Sequence, residues 1–149
     1  KKGLDVLVDF DGTCVLQDFP NINEFDIGSI PVLKDLIDAG HNLILFTMRS
    51  NRVLACPTHD DTIQDVTGLF LDDAVNWFKE NGIPLYGIQT HPMQHNWTTS
   101  PKAYGQLMID DTALGCPLIF DKRFDRPYVD WVKVREELTN MNILDERSS

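Results

Sequence analysis

The stretch Asp9-Phe10-Asp11-Gly12-Thr13 follows an apolar run from Leu4 to Val8 that only Asp5 interrupts. A short, β-branched run that ends at a glycine turn is typical of a buried strand. This strand brings two carboxylates to its carboxyl end, which is where open α/β sheets bind ligands. Because two acidic side chains repel each other there, we expect a cation between them, and Mg²⁺ suits hard oxygen ligands. The alternative is an ordinary surface turn, in which Asp and Gly are common.

A second strand is predicted over Asn42–Phe46, a nearly continuous apolar run of the kind that parallel strands have when both faces are covered. It ends at Thr47-Met48-Arg49-Ser50. A hydroxyl at a strand end can donate to a phosphate oxygen, and an arginine offers a fork of donors. Taken alone, Thr47 is better explained as a strand-end or capping residue.

Two further strands are predicted at Pro84–Ile88 and Gln106–Ile109, and the second of them leads into Asp110-Asp111. Lys102 precedes that strand. Paired carboxylates after a strand can complete an oxygen-rich metal site with Asp9, and a nearby ammonium can offset phosphoryl charge.

Helical periodicity separates these strands. We expect helices from Ser29, as N-cap, to Gly40; over Leu69–Asn81, stopped by Gly82; and over Asp130–Leu138, with Trp131 as an anchor. Leu114–Ile119 is predicted to form a turn and a short fifth strand. Strands that alternate with helices indicate an α/β fold with a parallel sheet.

Together these segments resemble the haloacid dehalogenase (HAD) superfamily of phosphatases and phosphotransferases. Asp9-Phe10-Asp11-Gly12-Thr13 resembles motif I, Thr47 lies where motif II has its hydroxyl, and Lys102 with Asp110-Asp111 follows the order of motifs III and IV. The resemblance covers nearly the whole chain. It implies a Rossmann-like three-layer sandwich with a five-stranded parallel sheet in the order 5-4-1-2-3, forming one domain over residues 1–149. The segments between the motifs are too short for a large cap.

The resemblance also implies roles for particular residues. Asp9 would be the nucleophile that forms an aspartyl-phosphate, Asp11 the general acid and base, and Lys102 a catalytic cation. Phosphate would be bound by a set of side chains and backbone groups: Gly12, Thr47, Met48, Arg49 and Lys102. Mg²⁺ would be held by Asp9, the Asp11 backbone carbonyl, and Asp110 or Asp111. The function implied is that of a Mg²⁺-dependent phosphatase.

Composition limits the class of partner. The chain has 149 residues, 42% of them hydrophobic, so it can build a core, and its net charge is −10. That charge argues against a nucleic-acid or anionic-membrane surface. It does not exclude a small phosphorylated substrate, which is the partner that the resemblance implies. No apolar stretch is long enough to span a bilayer, and acidic residues interrupt the apolar segment at the start, so no signal peptide is expected.

Several other residues invite a functional interpretation. Cys14, Cys56 and Cys116 are too few and too scattered for a disulfide framework, which favours a reducing, cytoplasmic setting. The segment Asn51–Gly68, with His59, Asp60 and Asp61, is interpreted as a solvated loop rather than a metal site. His91-Pro92-Met93-Gln94-His95 favours a substrate-contacting loop over a zinc site.

Three alternatives stay open at this point. A phosphotransferase with an acceptor other than water would have the same motifs. A non-catalytic phosphate- or partner-binding domain could keep the fold. A response-regulator receiver also groups acids, Thr and Lys around Mg²⁺, but there the acidic pair comes early and the Lys last, whereas here Asp-x-Asp comes first and Lys102 precedes Asp110-Asp111.

Overall fold

The computed structural model describes residues 3–51, 56–57, 63–64 and 68–146. Three α-helices, eight short strands and one 3-10 helix lie in these ranges. In chain order they are β1 (Asp5–Val8), α1 (Ser29–Asp38), β2 (Asn42–Leu45), β3 (Cys56–Pro57), β4 (Ile63–Gln64), α2 (Phe70–Glu80), β5 (Gly87–Ile88), the 3-10 helix (Gln94–Asn96), β6 (Leu107–Ile109), β7 (Leu118–Ile119), β8 (Tyr128–Val129) and α3 (Trp131–Asn140).

The central sheet has four parallel strands in the order β5-β2-β1-β6, and the fold is α/β and Rossmann-like. Val8 pairs with Leu45 on one side and with Ile109 on the other. These pairs bring the carboxyl ends of β1, β2 and β6 to one edge. The expected alternation of strands and helices is confirmed, but the expected five strands and the order 5-4-1-2-3 are wrong.

The segment predicted as the fifth strand does not join the central sheet. Within Leu114–Ile119, the strand is Leu118–Ile119, and it pairs antiparallel with Tyr128–Val129. The Asp130 N–H also donates to the Pro117 carbonyl, at 2.8 Å. Two residues that fold back on their own chain satisfy their backbone groups locally, which leaves β6 as an edge strand.

Two of the predicted helix ends are confirmed, and the predicted N-cap of α1 is wrong. Gly40 and Gly82 have positive φ of 93° and 69°, as helix-terminating glycines do. The predicted N-cap at Ser29 is wrong, because Gly28 holds that position with φ of 90° and Ser29 is the first helical residue. The buried Ser29 hydroxyl instead donates to the Cys14 carbonyl at 2.7 Å, which ties α1 to the segment that follows Thr13.

The two faces of the sheet are covered differently. Val6 and Val8 belong to a large core that buries residues from all three α-helices, such as Leu33, Phe78 and Trp131. On the opposite face, Leu7 and Ile44 pack against Ala103, with Phe46 partly buried beside them. Within the described residues, this second face is covered by the chain that contains the 3-10 helix. A three-layer sandwich would have an α-helix there.

Two segments that were predicted to be a loop and a polar tail contain more structure than expected. β3 and β4 form a two-stranded antiparallel pair inside the predicted loop Asn51–Gly68, whereas His59, Asp60 and Asp61 lie outside the described residues. The predicted polar tail contributes to the core, because Leu144 is buried and the Ile143 carbonyl bonds His41 Nε2 at 2.8 Å. No described helix is long and apolar enough to cross a membrane.

Candidate functional site

Three carboxylates converge where β1 and β6 end. One oxygen from each of Asp9, Asp110 and Asp111 lies within 4.8 Å of the others, so the group can hold a metal ion. The Asp9 N–H donates to the Ile109 carbonyl at 3.0 Å, which continues the pairing of β1 with β6 past the strand end. Parallel pairing therefore places residues from opposite ends of the chain in one cluster.

Thr13 links the cluster and was not predicted to be part of the site. Its hydroxyl lies 3.0 Å from Asp9 Oδ2 and 3.3 Å from Asp111 Oδ1, and it accepts the Asp111 N–H at 3.0 Å. The fully buried Thr13 is itself held by Trp131, whose indole Nε1–H donates to the Thr13 carbonyl at 2.7 Å. The expected anchor role of Trp131 is confirmed. The sequence signal for Thr13 was its position directly after Asp9-Phe10-Asp11-Gly12.

The acidic side chains in this cluster lie close enough to affect one another's pKa values. Burial, followed by the charge of Asp110 and the contact with Asp111, raises the pKa of Asp9 to about 8. Burial also raises the pKa of Asp111. A cation among these groups would favour their ionised forms, because opposite charge within a few ångströms stabilises a carboxylate.

Gly12 is required by conformation and by space. Its φ is 82°, and a Cβ at this position would lie 2.4 Å from Asp111 Oδ2. Its N–H donates to the Val15 carbonyl at 2.7 Å. The predicted role of Gly12 in substrate binding stays a prediction, since its observed contacts are with the protein.

The acidic cluster opens into a cavity of about 370 Å³. Most of the predicted site residues line it, and Gln17, Phe19 and Thr112 are additions that sequence reasoning did not identify. The lining residues are Asp9, Asp11, Gln17, Phe19, Thr47, Met48, Arg49, Asp110, Asp111 and Thr112. A larger cavity of about 770 Å³ lies elsewhere, between the 20–27 segment and α2, and contains none of the three clustered acids.

Gln89, the residue directly after β5, fixes the end of β2. Its amide oxygen accepts the Thr47 N–H at 2.9 Å, and its amide nitrogen donates to the Thr47 carbonyl at 2.7 Å and the Arg49 carbonyl at 3.1 Å. The Thr47 hydroxyl oxygen accepts the Arg49 N–H at 3.1 Å, so its O–H points elsewhere. Met48 is almost fully exposed at the mouth of the cavity. Gln89, which has a φ of 68°, gave no signal in the sequence.

Arg49 and Asp11 form a two-point ion pair. Arg49 Nε lies 2.8 Å from Asp11 Oδ2, and Arg49 Nη2 lies 2.8 Å from Asp11 Oδ1. The Asp11 backbone carbonyl, predicted as a metal ligand, accepts a hydrogen bond from Gln17 Nε2 at 3.2 Å. Both residues thus reach the expected cavity, but their observed partners are protein groups.

Lys102 is not among the described residues that line the cavity. Its side chain is exposed, its N–H donates to the Ser100 hydroxyl, and its carbonyl accepts from Gln94. The predicted substrate-contacting loop around His91 also lies elsewhere: His91 Nε2 is 3.1 Å from Asp5 Oδ2, at the opposite end of β1 from Asp9. The catalytic role of Lys102 stays a prediction from sequence.

Cys14 occupies a structural position. Its side chain is buried in the core, and its sulfur lies 3.3 Å from the Asp9 carbonyl. Burial and the charges of Asp9 and Asp11 raise the pKa of the Cys14 thiol well above its usual value. The thiol therefore stays protonated at neutral pH, which disfavours a nucleophilic role.

Comparison with known proteins supports the fold over the length of the chain. No family model and no curated protein matches the sequence. A solved structure, described as the conserved protein coded by a locus from Bacteroides thetaiotaomicron, is 27% identical with a TM-score of 0.67, covering 94% of this chain and 93% of that chain. The chain is therefore similar over nearly its whole length to a protein whose description states no activity.

Proposed function

We propose that this chain is a Mg²⁺-dependent phosphohydrolase of the HAD type, which cleaves phosphomonoesters through an aspartyl-phosphate on Asp9. The observation that carries the proposal is the convergence of Asp9, Asp110 and Asp111 at the carboxyl edge of a parallel sheet, beside a cavity that Thr47 lines. The order of these residues in the sequence, which resembles the HAD motifs, supplies the reaction class.

The donor set fits Mg²⁺. It consists of carboxylate oxygens within 4.8 Å of one another, and Mg²⁺ takes oxygen ligands at about 2.1 Å, so that two ligands on opposite sides of the ion are about 4.2 Å apart. Asp9, Asp110 and Asp111 would hold the ion. When bound, it would reduce the repulsion between a carboxylate and a phosphate dianion and polarise the phosphoryl group.

Asp9, Thr47 and Asp11 would each have a separate role in the two steps of the reaction. An Asp9 oxygen attacks phosphorus, and the bond from phosphorus to the leaving oxygen breaks. The Thr47 O–H, whose oxygen already accepts from Arg49, donates to a phosphoryl oxygen. Water then attacks the aspartyl-phosphate and gives its proton to the Asp11 carboxylate, which releases inorganic phosphate and restores Asp9.

Hydrolysis of 4-nitrophenyl phosphate, with Mg²⁺ and with EDTA, tests this function. We expect release of nitrophenolate that needs Mg²⁺ and is lost in Asp9→Asn. Asp38→Asn is the matched control, because it removes the same charge from an exposed position at the end of α1. Activity that survives EDTA would refute the metal requirement, and activity that survives in Asp9→Asn would refute the nucleophile.

A further inference from the structure

Two large apolar side chains line the same cavity as the acidic cluster and are exposed there. Met48 is 97% exposed and Phe19 is 38% exposed. A single exposed apolar residue is normal on a protein surface. Two of them in one cavity with candidate catalytic groups have a different meaning, because apolar and aromatic side chains are what small-molecule sites offer to their ligands.

Phe19 is held in place by its neighbours. Its ring packs edge-on against Phe70, with the two centroids 5.1 Å apart, and the Arg49 guanidinium lies 5.1 Å from the Phe19 centroid. Arg49 also donates to the carbonyls of Pro20 and Asn21, at 3.4 and 3.1 Å, which anchors the backbone that follows Phe19. A ring that is already fixed costs little conformational entropy when a ligand stacks on it.

Met48 extends from a segment whose backbone is fixed on both sides. Gln89 bonds the N–H and the carbonyl of Thr47, and it also bonds the carbonyl of Arg49. The Met48 side chain is free to change rotamer, because it is almost wholly exposed. Methionine adapts to the shape of its partner and makes favourable contacts between its sulfur and an aromatic ring. Phe19 and Met48 thus offer a fixed aromatic surface and an adaptable one.

The charged groups that line the cavity disfavour a second anionic group on the substrate. Among the described residues, one cation, Arg49, lines the cavity with four carboxylates, Asp9, Asp11, Asp110 and Asp111. Arg49 is already engaged with both oxygens of Asp11, at 2.8 Å each. The phosphoryl dianion itself would balance the charge of a bound divalent cation. A carboxylate or a second phosphate on the leaving group would therefore meet like charges.

We propose that the substrates are phosphomonoesters whose leaving group is uncharged and carries an aromatic ring, and that Phe19 and Met48 bind this ring. This inference rests on the proposed function, because it takes the phosphoryl group to lie at Asp9. Phe19 provides the surface on which the ring stacks, and the Met48 side chain closes over the ring from the mouth of the cavity. Both side chains are specificity-determining residues and take no part in bond making or breaking.

Relative kcat/KM values on benzyl, 2-naphthylmethyl and 4-carboxybenzyl phosphate test the inference with the native protein and Mg²⁺. All three esters release an arylmethyl alcohol, so the leaving oxygen is alike and only the ring differs. An added apolar group in a pocket is worth about 10–200-fold, so we expect the naphthylmethyl ester to exceed the benzyl ester by at least about tenfold. The carboxylate should lower kcat/KM at least about tenfold at low ionic strength. Smaller ratios, or a preference for the carboxybenzyl ester, would overturn the inference and leave the phosphohydrolase intact.

Binding of benzylphosphonate and 2-naphthylmethylphosphonate, which cannot be hydrolysed, separates the inference from the proposed function. We expect the naphthylmethyl compound to bind at least about tenfold more tightly in calorimetric titrations with Mg²⁺. If none of the three esters is hydrolysed, the proposed function fails. In that case equal or undetectable affinities for the two phosphonates would remove this inference as well, whereas tighter binding of the naphthylmethyl compound would support the aromatic site.

Substitutions tie the preference to the two side chains. Met48→Lys places a cation at the same exposed position, so the advantage of the naphthylmethyl ester should fall at least about threefold and the penalty on the carboxybenzyl ester about tenfold. Phe19→Leu should lower the naphthylmethyl advantage and keep the carboxylate penalty. Met93→Lys is the matched control, because Met93 is 49% exposed, directly precedes the 3-10 helix and does not line the cavity. Unchanged ratios in Met48→Lys, or equal shifts in Met93→Lys, would overturn the inference.

Discussion

Replacing Gly12 with alanine would test whether the turn after β1 is built around the Asp111 carboxylate. The new Cβ would lie 2.4 Å from Asp111 Oδ2 and 2.8 Å from its Cγ, at a backbone φ of 82°. Asp111 cannot yield freely, because its Oδ1 is near the Thr13 hydroxyl and its N–H donates to that same hydroxyl. The substitution therefore combines backbone strain with a displaced site carboxylate.

Gly40→Ala separates these two effects. Gly40 has a φ of 93°, but a Cβ there would meet no atom within 4 Å. A left-handed residue costs about 1–2 kcal/mol, and reduced freedom of the unfolded chain returns about 0.4–1 kcal/mol, so Gly40→Ala should lose about 1 kcal/mol. Gly12→Ala adds an overpacking cost of about 1–3 kcal/mol, for a total of about 2–4 kcal/mol.

Thermal unfolding and Mg²⁺ titration calorimetry would measure the outcome. At this chain length 1 kcal/mol lowers Tm by about 2–4 °C, so Gly12→Ala should lower Tm about two to four times as much as Gly40→Ala. We also expect Gly12→Ala to weaken Mg²⁺ binding at least about tenfold, and Gly40→Ala to leave it unchanged. Equal Tm losses in the two variants, with equal Mg²⁺ affinity, would show that Gly12 is needed for its backbone conformation alone.

Three further predictions concern the same cluster. The free energy of unfolding in EDTA should fall as the pH rises from 5 to 8, because unfolded Asp9 ionises near its ordinary pKa of 3.8 whereas the folded carboxyl keeps its proton up to about pH 8. Urea unfolding at a series of pH values would measure this fall. Excess Mg²⁺ or the substitution Asp9→Asn should reduce it. Thr13→Val removes the hydroxyl between Asp9 and Asp111 and should weaken Mg²⁺ binding by about 10–100-fold, while Thr13→Ser should restore it in a calorimetric titration. Trp131→Phe leaves the Thr13 carbonyl without its buried donor and should cost about 1–3 kcal/mol in urea unfolding, and a loss within error of zero would show that another group replaces the indole.

The clustering of the acids could be predicted because the rule that places them is general. Asp9 and Asp110 follow strands that pair in parallel, and parallel strands end at a common edge, so their convergence needs no detailed geometry. The apolar runs that form β1 and β2 were equally readable, since strands buried on both faces need little else. These parts of the fold depend on local pattern.

Other features depend on contacts that the pattern does not encode. The position of Arg49 after β2 placed it at the cavity, but only the packing of Phe10, Phe19 and the Asn21 carbonyl turns its guanidinium toward Asp11. Gln89 lies beyond β5 and reaches Thr47 across strands, a contact for which a single polar residue gives no signal. The prediction that the fifth strand joins the central sheet was wrong because the backbone groups of this strand pair with Tyr128–Val129 in an antiparallel hairpin instead. The apolar pattern of the segment does not distinguish between these two pairings.

The pairing of β1 with β6 determines when the site can exist during folding. Thr13 and Asp111 touch although they are 98 residues apart in the chain, and β6 docks directly on β1. Contacts between residues so far apart in the sequence form late, because the entropy of closing the intervening loop is lost before any stabilising contact has formed. A chain emerging from the ribosome therefore carries Asp9 and Asp11 long before Asp110 and Asp111 arrive. The three-carboxylate cluster assembles only once β6 has paired with β1, so tight ion binding would indicate a completely folded chain. Such binding would also shift the folding equilibrium away from partly folded forms.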